Sequence, residues 1–287
     1  MERIKSSRMA SFIAALLIYV AAACAGVAVY MALPLVFWLR LLIADAAATV
    51  IVFAFSLIFK NASVYDPYWS VQPIVILALF SVRDGVDLTT LFPLIAVCFW
   101  GVRLTANWAY SFRGFKYEDW RYVMLHERTG KLYPIVNFIG IHMVPTLIVY
   151  ACTLPAVFLY KTPTAAVRPI CFIFIAISLG AVVLQLVSDT QMHRYHNSGM
   201  RGILDTGLWG RARHPNYLGE ILMWWGIGLY SVFAMMDKWY LLLGALANTV
   251  LFVTVSIPMM EERQSRKTGY FEYKKRTHLL FPFKKHS

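Results

Sequence analysis

Residues 205–235 read DTGLWGRARHPNYLGEILMWWGIGLYSVFAM. A polar, basic loop turns there into an unbroken apolar run. Pro215 stands where a helix accepts proline, in the first turn, because its missing N–H has no intrahelical partner at that position. Asn216 and Glu220 are four residues apart and share one helix face. The run behind them is apolar enough to enter a bilayer. The stretch therefore gathers Arg211, Arg213, His214, Asn216, Tyr217 and Glu220 at a membrane surface. Helix N–H groups and the positive end of the helix dipole point to the same place, which suits an anionic ligand such as a phosphate. A cationic membrane flank would account for the arginines, but not for Asn216 and Glu220 one turn deeper.

The rest of the chain extends this reading. Of its 287 residues 59% are hydrophobic, and the mean hydropathy is +0.59. Soluble domains are about half apolar, and apolar runs of about 18 residues or more read as transmembrane helices. The expected class is all-α, a polytopic membrane helix bundle with its pocket at the cytoplasmic face. Eight candidate spans lie at 10–33, 35–59, 69–82, 89–111, 135–159, 167–190, 216–234 and 239–260. The third is short; if it is re-entrant or merges with a neighbour, seven remain. The first run follows Arg3, Lys5 and Arg8 and mimics a secretory signal, but its continuation through Leu33 favours an uncleaved helix. Cys24, Cys98, Cys152 and Cys171 lie in apolar stretches without close pairing, so neither a zinc site nor a disulfide framework is indicated.

The net charge of +12 is unevenly placed. With the N-terminus in the cytoplasm, cytoplasmic segments hold 21 lysines and arginines and the opposite segments 4, with Arg40 and Arg103 inside spans. That bias follows the positive-inside rule and puts both termini in the cytoplasm. The protein would reside in the plasma membrane if bacterial and the endoplasmic reticulum if eukaryotic. The layout argues against a nucleic-acid partner, and no RNA- or DNA-binding motif accompanies it. Three long pieces, 112–134, 191–215 and 261–287, build the cytoplasmic face, and such loops usually carry function.

Polar residues at the span boundaries supply the remaining candidates. Asp66, beside Pro67 in NASVYDPYWSVQP (61–73), either caps a helix or lines a cavity. Trp100, Arg103, Asn107 and Tyr110 follow at spacings of 3, 4 and 3, one helix face. An arginine that deep needs a polar cavity or a partner; a cavity wall is expected ahead of a helix–helix hydrogen-bond network. A surface helix is expected in the charged, aromatic stretch that follows, 111–130. Gln185, Asp189, His193 and His196 form a second stripe. No HExxH and no histidine boxes are present, so no metal is expected. Glu261, Glu262, Arg263, Arg266 and Lys267 alternate in sign at the last membrane exit. Alone they would be a solvated, salt-bridged helix end; one span after RHPNYLGE they read as a pocket wall.

Together SDTQ (188–191), DTGLWGRARHPNYLGE, EERQ (261–264), YFEYKKRT (270–277) and FPF (281–283) resemble the steroid 5-alpha-reductase C-terminal superfamily. The likeness is closest to the branch known as DUF1295 and covers roughly 60–287 of a single transmembrane domain, after two variable helices in 1–60. Sterol reductases share the core motif, and isoprenylcysteine carboxyl methyltransferases carry a close RHPxYxG. The resemblance implies a cytoplasm-facing nucleotide-type pocket without choosing between NADPH and S-adenosylmethionine. Its cofactor contacts would fall on Gln185, Ser188, Asp189, Asn216, Glu220, Glu262, Arg266 and Tyr273. The animal reductases carry histidine and tyrosine where this chain has Glu262 and Arg266. The steroid enzymes' glutamate falls on Asp66, a proline on Pro73, and their tyrosine on Trp100, which cannot donate a proton in the same way.

The expected function is NADPH-dependent reduction of an activated C=C bond, an enone, in a steroid or other lipid. Arg211, Arg213, Arg263 and Arg266 would meet phosphates. Asp66, or a phenol among Tyr65, Tyr68 and Tyr110, would serve the developing enolate oxygen, since a carboxyl in an apolar cavity favours its neutral form. Trp100, Arg103 and Asn107 would line the substrate cavity. No GxGxxG follows a strand, so the pocket is not of the Rossmann kind. Two rivals are a membrane methyltransferase using S-adenosylmethionine and a non-catalytic sterol- or lipid-binding membrane protein.

Overall fold

The long apolar runs form helices, as their composition requires in a medium where backbone groups must be satisfied internally. A computed structural model describes residues 2–283. Its helices are α1 (Glu2–Ser6), α2 (Arg8–Ala32), α3 (Phe37–Phe59), α4 (Tyr68–Asp84), α5 (Leu88–Ser111), α6 (Trp120–Thr129), α7 (Tyr133–Val136), α8 (Val144–Leu159), α9 (Pro169–Asn197), α10 (Pro215–Met235), α11 (Leu243–Leu251), α12 (Ile257–Ser265) and α13 (Tyr270–Arg276). Among the described residues, strand pairing amounts to one isolated bridge, Ala212 with His278. Lys284 and Lys285 of the expected cytoplasmic piece 261–287 lie outside the described residues.

Seven helices among the described residues are long and apolar enough to cross a membrane. Two are continuous rods assembled from several pieces: Trp120–Leu159 runs through a π-helical stretch at Asn137–Met143, and Trp239–Ser265 through another at Phe252–Ser256. The charged stretch expected as a separate surface helix therefore starts a long rod, capped by Asp119 Oδ1 accepting from Arg121 N at 2.9 Å. The short third span is α4, 17 residues long. An all-α polytopic membrane protein is the result.

The chain divides into two compact units, residues 1–83 with 104–154, and residues 84–103 with 155–287. In the first, the link between α3 and α4 is folded into protein rather than left at a surface. Ala62, Ser63, Val64 and Tyr65 are all buried. Irregular backbone inside an apolar bundle needs partners, and polar side chains supply them. Asn61 Nδ2 donates to Phe115 O and Tyr117 O at 2.8 and 3.1 Å. Ala62 N donates to Glu118 Oε1 at 2.7 Å, and Tyr19 Oη to Val64 O at 2.6 Å.

In the second unit α9 and α10 pack closely along a seam that includes glycines. A Cβ at Gly219 would stand 2.8 Å from Ala181 O, and one at Gly226 would stand 2.7 Å from Phe174 O. Small residues let backbones approach where lipid offers no hydrophobic drive. Arg168 Nη1 donates to Phe233 O and Ala234 O at 2.8 and 2.7 Å, satisfying carbonyls at the end of α10. Trp225 Nε1 ties α10 to α11 through Thr249 Oγ1 at 2.9 Å.

Candidate functional site

The basic loop is held by the chain's C-terminal segment. Arg213 N donates to His278 O at 2.9 Å, His214 N to Leu279 O at 3.1 Å, and His278 N to Arg211 O at 2.9 Å. Tyr273 Oη closes the other side on Trp209 O at 2.7 Å. Gly207, at φ +62°, lies against the Gln191 amide with no room for a side chain, and Gln191 Oε1 accepts from Leu208 N at 3.0 Å. The C-terminal YFEYKKRT and the RARHP loop thus form one structure.

That structure walls a cavity of about 280 Å³ in the second unit, at the N-terminal end of α10. Asp189, Arg213, His214, Asn216, Tyr217, Arg263 and Tyr273 line it, all among the residues expected there. Gln185, Arg211, Glu220, Glu262 and Arg266 do not. Glu261 joins the wall instead of its neighbour Glu262, and accepts from Arg213 Nε at 2.9 Å, with His214 Nε2 at 2.7 Å and Lys274 Nζ at 3.7 Å. Glu262 faces the exposed Arg266 at 3.4 Å.

Lys267, read in the sequence with the charged exit of the last span, lines the cavity, while sequence reasoning missed Trp209, Tyr195 and Tyr270 as cavity residues. Nothing local in the sequence marks Trp209. Lys267 Nζ donates to Gly202 O at 2.9 Å. Burial, and then the neighbouring Arg263, push its ammonium pKa below the usual lysine value. Two crowded cations beside a 21-residue helix's N-terminus form a place where an anion relieves repulsion. Tyrosines and a tryptophan give the same wall flat apolar faces. Among the described residues no group of three or more His, Cys, Asp or Glu is arranged to hold a metal ion.

Glu220 is buried in the packing of α10, 5% exposed. It accepts from Trp100 Nε1 at 2.8 Å, Trp224 Nε1 at 2.9 Å and Gln185 Nε2 at 3.0 Å. Arg103 Nη1 donates to Asp189 Oδ2 at 2.6 Å. Of the two readings of the α5 stripe, Trp100 and Arg103 follow the helix–helix hydrogen-bond network. They fix Glu220 and Asp189, and Asp189 reaches the cavity wall.

The first unit holds the expected proton donors, and it separates them. Asp66 lines a polar cavity of about 350 Å³ together with Asn107, Ser63 and Arg121. Tyr122 Oη donates to its Oδ1 at 2.5 Å, and Arg121 Nη2 stands 3.8 Å away. Burial pushes the carboxyl up to about 7, against the opposing pull of Arg121. Tyr68 is turned instead to a different cavity and to Asp45, at 3.4 Å. Tyr110 is 58% exposed.

Comparison with known proteins adds three findings. The family described as "Protein of unknown function (DUF1295)" matches residues 52–277. The uncharacterized protein C594.04c of Schizosaccharomyces pombe is 25% identical over 203 residues, 61% of this chain and 59% of the relative's own length. No solved structure matches.

Proposed function

The chain belongs to the DUF1295 family, and from that premise we propose that it is a membrane reductase that uses NADPH to reduce an activated C=C bond, an enone, in a steroid or other lipid. The observation that carries the reading is the cavity at the start of α10, where Arg263 and Lys267 crowd beside a helix N-terminus among aromatic walls. A phosphorylated nucleotide fits that donor set: the cations and helix N–H groups take phosphate oxygens, and Tyr217, Tyr270 or Trp209 offer faces for a base. Bound there, NADPH supplies a hydride. Arg213 is committed to Glu261, so its role is to hold the loop while Arg263 and Lys267 meet the phosphates. Asp66, a carboxyl titrating near 7, is the residue that holds a proton for the enolate oxygen. A surplus of cations has less use for S-adenosylmethionine, which carries no phosphate.

The proposed orientation keeps both termini cytoplasmic and requires α4 to cross. Its 17 residues extend roughly 25 Å, a little short of the roughly 30 Å hydrocarbon core. Local thinning of the bilayer accommodates a helix that is a little short.

The test is thermal stabilisation of the detergent-purified full chain by NADPH, NADH and S-adenosylmethionine in parallel. A ligand at 100 times its dissociation constant adds about 2.7 kcal/mol to the native state. Stabilisation by NADPH above NADH, lost in Lys267→Gln and Arg263→Gln, is the expected result. Stabilisation by S-adenosylmethionine alone overturns the reading in favour of methyl transfer. Silence from all three overturns it in favour of a lipid-binding protein.

A further inference from the structure

The C-terminal segment carries apolar surface that the fold leaves uncovered. Phe281 is 51% exposed and Phe283 67%. Their rings lie parallel, with centroids 5.9 Å apart and 5° between planes. Pro282 between them favours an extended Phe281, and residues two apart on an extended chain point the same way. Proline also brings no N–H that would need a partner in an apolar medium. The result is a two-ring blade standing out from the protein. Large apolar groups grouped in the open mark a contact surface.

The fold fixes where this blade stands. The tail, the basic loop and α10 all belong to the second unit. His214, the residue before α10, donates its N–H to Leu279 O at 3.1 Å, and His278 N donates to Arg211 O at 2.9 Å. The 21 residues of α10 make roughly 31 Å of helix, which matches the roughly 30 Å hydrocarbon core with little to spare. Leu279 is therefore held at the level where the chain enters the bilayer. An extended residue spans at most about 3.6 Å, so Phe281 stands within about 7 Å of Leu279 and Phe283 within about 14 Å. The headgroup layer is itself roughly 5–8 Å deep on each side. The apolar medium within reach is the membrane that the protein already spans.

Charge selects the lipid. Three cations of the tail have carboxylate partners: Lys274 is 3.7 Å from Glu261, Lys275 is 2.9 Å from Glu272, and Arg276 is paired with Asp205. Arg211 is different. It is exposed and does not line the nucleotide cavity, and its carbonyl is bonded to the tail. Lys284 and Lys285 follow the blade in the sequence. Cations beside apolar side chains at a bilayer surface suit anionic headgroups.

We infer that the tail is a membrane anchor. Phe281 and Phe283 insert at the headgroup–acyl boundary of the adjoining leaflet, and Arg211 takes the phosphate of an anionic phospholipid. The anchor acts on the loop: Arg213 N and His214 N donate to the carbonyls of His278 and Leu279, so a seated tail steadies the wall of the nucleotide cavity.

The experiment uses the full chain without nucleotide, carrying Phe283→p-benzoylphenylalanine as photoprobe. The nanodiscs hold equimolar phosphatidylcholine and phosphatidylglycerol with identical acyl chains, and mass spectrometry reads the adducts. Phospholipid adducts at position 283 are expected, with phosphatidylglycerol at least twofold ahead. Phe281→Ser in the same protein should lower total lipid adducts at least threefold. Arg211→Gln should lower the phosphatidylglycerol preference at least by half. Both side chains are exposed, so neither variant threatens folding. Hydrogen exchange at the Arg213 and His214 amides reads the coupling, and Phe281→Ser combined with Phe283→Ser should speed it at least threefold. Adducts confined to a second copy of the chain, or no lipid adduct at all, overturn the anchor. Equal labelling of the two lipids overturns the anionic preference, and exchange indifferent to the double variant overturns the coupling. Because no nucleotide is present, failure here is distinct from failure of the reductase reading, which the NADPH stabilisation reports.

Discussion

Replacing Glu220 by alanine tests the claim that this residue holds helices together. Its carboxylate accepts three hydrogen bonds, from Trp100, Gln185 and Trp224, at 2.8–3.0 Å. Alanine leaves all three donors without their acceptor. A buried donor left unsatisfied costs about 1–3 kcal/mol, so the lower bound for three is about 3 kcal/mol. For a chain of this size each kcal/mol moves the melting temperature by roughly 2–4 °C, which puts the expected fall at about 6 °C or more. Glu220→Gln keeps the shape and one acceptor oxygen, and should lie between alanine and the native protein. Glu262→Ala is the control: its carboxylate is 45% exposed and pairs with Arg266 one helical turn away, a contact worth about 0–1 kcal/mol. The assay is tryptophan-fluorescence melting in one detergent, read alongside NADPH stabilisation. If Glu220→Ala melts within 2 °C of the native protein, at the level of that control, the three-donor clamp contributes nothing and the reasoning fails. If it melts normally but loses NADPH stabilisation, Glu220 is a direct cofactor contact.

Two further predictions follow from the same structure. The Asp66 carboxyl is raised from its ordinary 3.8 to about 7, so the folded chain binds more protons than the unfolded one between those values. Its contribution to stability is full below the unfolded pKa and is lost as pH rises through 7. Melting temperature should therefore fall from pH 4.5 to 8, and Asp66→Asn should flatten that fall; an identical slope in the variant would refute the assignment. At the α9–α10 seam, Gly226→Ala sets a methyl 2.7 Å from Phe174 O, so an overpacking cost of about 1–3 kcal/mol is expected; an unchanged melting temperature would mean the helices are not held at this distance.

Local signals in the sequence carried much of this. The Pro215 entry into α10, the apolar lengths of seven spans and the pairing of the basic loop with the following helix are properties of contiguous residues, and all appear in the structure. Seven of the expected cofactor residues do line one cavity. Other assignments depended on rotation. Glu261 and Glu262 are adjacent, and consecutive helical residues point about 100° apart, so a motif that reads EER leaves open which carboxylate turns inward. The π-helical stretch at Phe252–Ser256 just before them shifts that phase again. Tyr68 follows Asp66 closely in sequence, yet the two line different cavities, Tyr68 as the first residue of α4 and Asp66 in the link before it.

The amino-acid sequence by itself determined that this chain is a helical membrane protein with a cationic loop opening into a buried helix. Hydrophobic length and proline position act within a few turns of the residues that carry them. Only the tertiary structure decided that Glu220 is a clamp among Trp100, Gln185 and Trp224, and that Glu261, not Glu262, turns to Arg213 and His214. It alone brought Asp45 to Gln72, 27 residues away. Those facts rest on how helices far apart in sequence are turned toward one another. That turning is set by close packing and by the need to satisfy each buried polar group, sums over many contacts that no short stretch contains.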